Sequence, residues 1–439
     1  MRPAPETLTT PVRFLPPSLW LDAWVVLMLM MPVLTTFYPP ESYFFTGYSI
    51  AEQSFEPSAI MPVLLLAMSA SQALVWLLLA RVRRPRLSVL ALLYLATVAT
   101  SLAQSPAFAE ALNRWLRLLP LTGFAMLAAQ IYPMRRMIRL FLVAFLLSAL
   151  CSLVMVAFFP VLGLAHMGGP YETSWRGAIG HKNTAGFVYG LGGLIAGLAY
   201  IDRLADRRLA LATGLLCALI AVKSDSATAL VAGASALFLT LALRGAALLP
   251  GTVRLLLLGA FSGLLLSALM LALSMPDLLA AMVGRDLTLT GRTLIWSEVW
   301  TLIEARPLSG WGYAFWQIDT PERAHIFKVI AYVASHAHNS WLDLWLQVGL
   351  FGMIVVGLDL LRSIATGLIR LARADAVATA SIPFAVSVVL LVRSGSEVQF
   401  SEPNVNGLFW LIWASLALRL RDGIAARPAP SVARARHFT

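Results

Sequence analysis

Apolar residues fall along this chain in long unbroken blocks, not in the two-residue alternation of a half-buried strand. Uncharged runs such as Ala59–Ala80, Leu140–Phe159 and Leu255–Pro276 are long enough, at about 1.5 Å per residue, to cross a hydrocarbon layer of roughly 30 Å. Reading the chain by that criterion predicts spans near Leu19–Tyr38, Ala59–Ala80, Leu87–Ala103, Leu118–Tyr132, Leu140–Phe159 and Thr184–Tyr200. A second set follows near Leu209–Val222, Ser226–Leu243, Leu255–Pro276, Asn339–Leu361, Ala376–Val392 and Val405–Leu418. The expected fold is all-α: a polytopic membrane protein with about twelve transmembrane helices.

The polar residues between the blocks give the orientation, because Lys and Arg are retained on the cytoplasmic side. Loops bearing Arg81, Arg83, Arg84 and Arg86, then Arg135, Arg136 and Arg139, then Arg203, Arg207 and Arg208, then Arg362, Arg370 and Arg373 fall on one side with both termini. The chain then divides into a cytoplasmic N-terminus (1–18), nine helices (19–276), a large periplasmic loop (277–338), three helices (339–420) and a cytoplasmic basic tail (421–439) holding Arg427, Arg434 and Arg436. The first span follows Arg2 and Arg13 without a small-residue cleavage site and reads as a retained signal anchor. This predicts a multi-pass protein of the bacterial inner membrane.

Composition agrees: 59% of residues are hydrophobic and 13% charged, whereas about a quarter are charged in soluble domains. The net charge of +11 would suggest nucleic acid in a soluble chain. Here the excess lies on the inner side, where anionic membrane lipids suffice, and no nucleic-acid partner is expected. Cys151 and Cys217 sit inside predicted spans and form no disulfide framework.

The large loop carries the chemistry. From Arg292 through Trp296 and Trp300 to Glu304, apolar residues recur at helical spacing, Pro307 ends the helix, and Ser309-Gly310-Trp311-Gly312 supplies a turn. Asn339 is a good N-cap for the following apolar run, which places His338 at a helix mouth where anions are favoured and an imidazole can act as a base. Arginine grips phosphate through two bonds. Arg176 in the second outer loop, Arg292 at the start of the loop helix, and Arg114 and Arg117 at the outer end of the fourth span are the candidates.

Bland readings stand beside these. Arg292 packs by cation–π contact on Trp296 and Trp300, Arg114 and Arg117 anchor at the interface, Trp311 packs the loop, and Gly349 and Gly352 allow close helix packing. His336 and His338 have metal-ligand spacing, but no third ligand lies nearby in the sequence, so no metal is expected. Glu397 and Glu402 flank a short outer loop after Arg393, where acids bind an acceptor sugar or pair with Arg393, and the pair is the expectation. Soluble-cofactor motifs are missing, and no cofactor is expected. A transporter is the competing class, but the ionisable residues gather at the outer boundary and in one loop, not at the midplane.

Four elements in order, Arg176-Gly…Gly180-His181-Lys182-Asn183, Gly291-Arg292…Trp296, Arg306-Pro307-Leu…Gly310-Trp311-Gly312 and His338-Asn339-Ser…Gly349…Gly352, resemble the bacterial O-antigen ligase and polysaccharide polymerase superfamily. The resemblance covers roughly residues 170 to 360. It implies a metal-independent, inverting glycosyltransferase of the GT-C type with a helical periplasmic loop, which moves a glycan from undecaprenyl diphosphate to an acceptor hydroxyl. By the same resemblance, His338, Arg292 and Arg176 are catalytic. His181, Lys182, Asn339, Arg114, Arg117 and Trp311 complete the expected substrate-binding set. The partners implied are the lipid-linked donor, a saccharide or lipid A-core acceptor, and polysaccharide export or chain-length proteins.

Overall fold

The computed structural model describes residues 19–36, 60–82, 88–165, 172–247, 249–253, 256, 292–330, 333–371 and 377–400. Among them the fold is helical, with a single isolated β-bridge between Leu164 and Trp175. The bundle helices are α1 (Leu19–Thr36), α2 (Ile60–Val82), α3 (Val89–Ser101), α4 (Phe108–Ile131), α5 (Met134–Phe158), α6 (Lys182–Ile201), α7 (Arg207–Lys223) and α8 (Ala227–Ala247). The loop contributes α9 (Arg292–Ala305) and α10 (Pro321–Ile330), and α11 (Ser340–Leu371) and α12 (Val377–Ser394) return to the bundle.

Every predicted span within the described residues is a helix. The spans near Leu255–Pro276 and Val405–Leu418 lie outside them, as do Glu402 and the arginine tail. Among the described residues, four helices are long and apolar enough to cross a membrane: α5, α6, α8 and α11. Shorter apolar stretches lie in α1, α2, α3 and α12.

Several helices outrun the apolar block that predicted them. α4 begins at Phe108 instead of Leu118 because its outer turns are stabilised by an i, i+4 ion pair, Arg114 to Glu110 at 3.1 Å. α11 continues past Leu361 to Leu371, with Arg362 folded back on Asp359 at 2.5 Å. Starts are set by caps: Ser88 Oγ accepts from Ala91 N at 3.3 Å, and Asp206 Oδ1 accepts from Arg208 N and Leu209 N at 2.9 and 3.0 Å.

Charged groups join the loops that the charge alternation assigned to one side. Arg136 forks onto Asp22 at 3.1 and 2.5 Å, Arg135 donates to the carbonyl of Arg203 at 2.8 Å, and Arg244 pairs with Asp202 at 2.6 Å while touching Ser381. At the opposite end of the bundle lie His181, Asn183, Arg292, His338 and Glu397.

The large loop is ordered from α9 onward around its own apolar core. Ile295, Val299 and Ile303 of α9 pack with Phe315, Trp316, Ile326, Ile330 and Ala337, and Leu346 of α11 closes the cluster. The helix is the one read from the sequence, but its buried stripe is Ile295, Val299 and Ile303, with Trp300 44% exposed.

One expectation needs correction. Gly349 does more than let helices approach. It leaves helical geometry, with φ 76° and ψ 177°, so α11 breaks there. The carbonyls freed by the break are taken by the loop: Trp311 N donates to Leu346 O at 2.7 Å and Gly312 N to Gln347 O at 3.1 Å, while Leu350 N donates to Pro307 O at 3.1 Å. A Cβ on Gly349 would come 2.0 Å from the carbonyl oxygen of Leu308, and one on Gly310 2.8 Å from Gly349 N. Backbone meets backbone, which only glycine permits.

Candidate functional site

The site is assembled at the start of α11. Asn339 caps that helix as its sequence predicts, Oδ1 accepting from Trp341 N at 3.0 Å and Leu342 N at 3.2 Å. His338, one residue before, is held at φ 50°, a left-handed conformation costly for a side-chain-bearing residue. Asp343 fixes the approach to it. This fully buried carboxylate accepts from Ala337 N at 3.0 Å and Trp316 Nε1 at 2.7 Å on one oxygen, and from Gln347 Nε2 at 2.7 Å on the other. Asp343 thereby ties the loop to the helix around the two histidines.

The centre is Glu397, in the segment after α12 and 5% exposed. Its Oε1 accepts from Arg292 Nη2 and from Asn183 Nδ2, both at 3.0 Å, and its Oε2 lies 3.6 Å from His338 Nδ1. The predicted pairing with Arg393 is therefore corrected. The buried Arg393 guanidinium sits 4.3 Å over the Phe187 ring and donates to Gln399 Oε1 at 2.8 Å and Asn183 O at 3.3 Å, leaving Glu397 to Arg292. The packing alternative for Arg292 is also set aside. Its Nη1 donates to Ser396 O at 2.6 Å, while Trp296 donates to Ala337 O at 2.9 Å and Trp300 to Glu304 at 2.7 Å. Ser340 Oγ ties this segment down, donating to Glu397 O at 2.8 Å and accepting from Gln399 N at 2.9 Å.

Electrostatics follow from this crowding. Burial opposes ionisation of Glu397, but the His338 contact and the Arg393 charge outweigh it and hold the carboxyl well below the usual range. His336 stacks edge-on against His338 at 4.2 Å between ring centroids, and its Nδ1 accepts from His338 N at 3.2 Å. Dehydration, then the neighbouring His338 ring, push the His336 imidazole down to about 3, with Glu397 opposing, so it is neutral at physiological pH. His181, an exposed residue whose Nδ1 caps α6 by accepting from Asn183 N at 3.2 Å, shifts the same way because the surrounding protein disfavours its charged form.

The fold thus brings together His338, Arg292, Asn339 and His181 of the expected residues. It adds Asn183 and Glu397, the first within a quoted motif and the second an acid beside a basic residue in an outer loop, a weak signal. The others lie differently. Arg176 donates to Leu162 O at 2.9 Å and Gly180 O at 3.2 Å, backbone carbonyls of its own outer segment. Lys182 is buried and reaches Asp225 O at 3.4 Å. Arg114 is paired with Glu110, and Arg117 follows one turn below on α4. Trp311 donates to Leu302 O at 2.7 Å with Arg306 stacked 4.0 Å from its ring, the packing role that its place in the turn suggested.

The sequence offered no third metal ligand beside His336 and His338, and the fold corrects that. Glu397 joins them with ligand atoms within 4.8 Å of one another. A cation there would compete with Arg292 and Asn183 for a carboxylate whose charge they already satisfy.

A helical membrane protein with a buried carboxylate and arginine at one end of its bundle, ringed by a partly exposed arginine, an amide and two imidazoles, is the class that this geometry defines. Residues 209–357 match the family model described as O-Antigen ligase. The exopolysaccharide production protein ExoQ of Rhizobium meliloti is 31% identical over 254 residues, which cover 55% of this chain and 58% of that protein. Both matches support the superfamily that the motifs resemble. The family match takes in Arg292, Trp311, His338 and Gly349, and leaves Asn183 and Glu397 beyond its ends.

Proposed function

We propose that the protein is a membrane glycosyltransferase that moves a glycan from undecaprenyl diphosphate to an acceptor hydroxyl at the periplasmic face, as an exopolysaccharide or O-antigen polymerase. The observation that carries this is the contact of His338 with the ionised, buried Glu397 at a helix mouth that also presents Arg292. With Nδ1 toward the carboxylate, the other ring nitrogen of His338 is left for an acceptor hydroxyl. It takes the hydroxyl proton while the acceptor oxygen bonds to the anomeric carbon and the bond from that carbon to the diphosphate breaks, inverting the centre. Glu397 stabilises the imidazolium that forms, and cationic groups stabilise the departing diphosphate without a metal. The exopolysaccharide role named for the Rhizobium relative favours polymerisation over ligation to lipid A-core, the second outcome that the family description allows.

The test is purified protein in liposomes with a lipid-linked glycan donor. His338→Asn, which tolerates the left-handed backbone, is expected to lose transfer by about 100-fold or more at unchanged protein yield. Transfer within a few fold of wild type rejects the assignment. A chelator is expected to leave the wild-type rate unchanged, and its abolition by chelator with recovery on adding a divalent cation would assign His336, His338 and Glu397 to a metal instead.

A further inference from the structure

The joint between α9 and the broken α11 has a feature that a water-exposed loop would not need. α9 descends beside α11 rung by rung. Trp296 Nε1 donates to Ala337 O, the Trp300 and Trp345 rings meet edge-on at 5.6 Å, and Trp345 Nε1 and Leu350 N both donate to Pro307 O, at 2.7 and 3.1 Å. The tip of the turn therefore lies beside Leu350, about 15 Å along the helix from Ser340 at 1.5 Å per residue. That level is well inside the uncharged stretch of α11, which runs from Leu344 to Leu358. Just below it, the outward face of α11 is apolar, with Phe351 59%, Leu358 51% and Leu361 62% exposed. Leu308 at the tip is 74% exposed and continues that surface.

We infer that this turn is embedded in the bilayer, with Leu308 among the lipid chains and the Trp300–Trp345 pair at the headgroup boundary. Irregular backbone survives at such depth only if its polar groups are satisfied within the protein. Here Gly310 N donates to Arg306 O at 3.1 Å, Trp311 N and Gly312 N take the carbonyls freed by the break at Gly349, and the carbonyl of Pro307 receives two donors. The flanking residues suit an interface. The indole of Trp300 donates to Glu304, and the exposed Arg306 sets its guanidinium 4.0 Å from the centre of the Trp311 ring. The broken helix and its glycines are thus the means by which Pro307, Gly310, Trp311 and Gly312 bond their backbone within the protein at that depth. The inference does not depend on the proposed reaction.

Wild-type protein in phospholipid liposomes, photolysed with a diazirine-bearing acyl chain and mapped by peptide mass spectrometry, tests it. Adducts are expected on Leu308 at a yield within about threefold of those on Phe351, and none on the exposed Ala324 of α10. Labelling of Phe351 without Leu308 overturns the inference. A nitroxide at Leu308→Cys, in a background with Cys151→Ala and Cys217→Ala, reads the same point independently. Greater collision with oxygen than with a water-soluble nickel chelate supports lipid burial, and the reverse order, expected of a face that meets water or a soluble partner, overturns it.

Discussion

The two ends of the bundle hold charged groups between distant segments, and they are built differently. At the end assigned to the cytoplasm each acid meets one arginine: Asp22 with Arg136, Asp202 with Arg244. At the other end one carboxylate serves Arg292 and Asn183, lies against His338, and feels the charge of Arg393. The first arrangement is a set of clasps between helices. The second leaves His338 Nδ1 without a hydrogen bond shorter than the 3.6 Å ion-pair contact. Asp202 Oδ2 at the first end has no hydrogen bond either, so what sets the second end apart is the number of charged and polar groups that converge on one carboxylate.

The strongest way to break this contrast is to neutralise one acid at each end. Glu397→Gln is expected to lower transfer by about 100-fold, whereas Asp202→Asn should cost stability and yield yet leave turnover per folded molecule within about twofold. Reconstituted turnover, normalised to protein that elutes as a single species, checks both. Equal losses at the two sites would erase the distinction.

Next in size is Arg292→Lys. A lysine keeps the charge but not the fork that joins Ser396 O to Glu397, so turnover is expected to fall nearly as far as in Arg292→Ala. Turnover above about half of wild type would make Arg292 a support whose charge alone matters.

A smaller effect should appear on acidification. The folded state holds His336 depressed to about 3 and Glu397 below the usual carboxylate range. Below the ordinary histidine value the unfolded chain binds protons that the folded site refuses, so His336 subtracts stability progressively as pH falls from about 6.5. The stability contributed by Glu397 is fully present above about 4.5 and lost as pH falls further toward its depressed value. Thermal unfolding in detergent between pH 7 and 4 is expected to show a lower midpoint at each step, with a shallower slope below pH 6.5 in His336→Gln. A slope unchanged by that substitution would refute the assignment to His336.

The smallest effect expected is Trp311→Phe. It loses one hydrogen bond to Leu302 O, worth about 1 kcal/mol, and should leave turnover per folded molecule within about twofold. A large rise in acceptor KM would return the indole to the substrate.

Hydrophobic length made the bundle legible, because a span must be an uncharged run whatever its neighbours do. The loop helix and the Asn339 cap were legible for a similar reason, being local patterns over a few turns. The partners of Glu397 were not. Arg393 was the nearer candidate along the chain, and only the packing of α6 and α12 turns Arg393 toward Phe187 and Gln399 and delivers Arg292 instead. The break at Gly349 was hidden too, since an isolated glycine within an apolar run reads alike whether it admits a neighbouring helix or a neighbouring backbone.

The distance between Asn183 and Glu397 along the chain, 214 residues, sets a schedule for biogenesis. At roughly 5–20 residues per second, the ribosome needs on the order of 10–40 s after Asn183 emerges to supply the carboxylate it binds. α6 is made at the start of that interval and α9 about half-way through it, and until it ends Arg292 has no acid to receive it and Ser340 no backbone segment to hold. The cluster around Glu397 therefore cannot close piecemeal during synthesis. It becomes competent in one late event, when the residues after α12 arrive and are clamped over the mouth of α11.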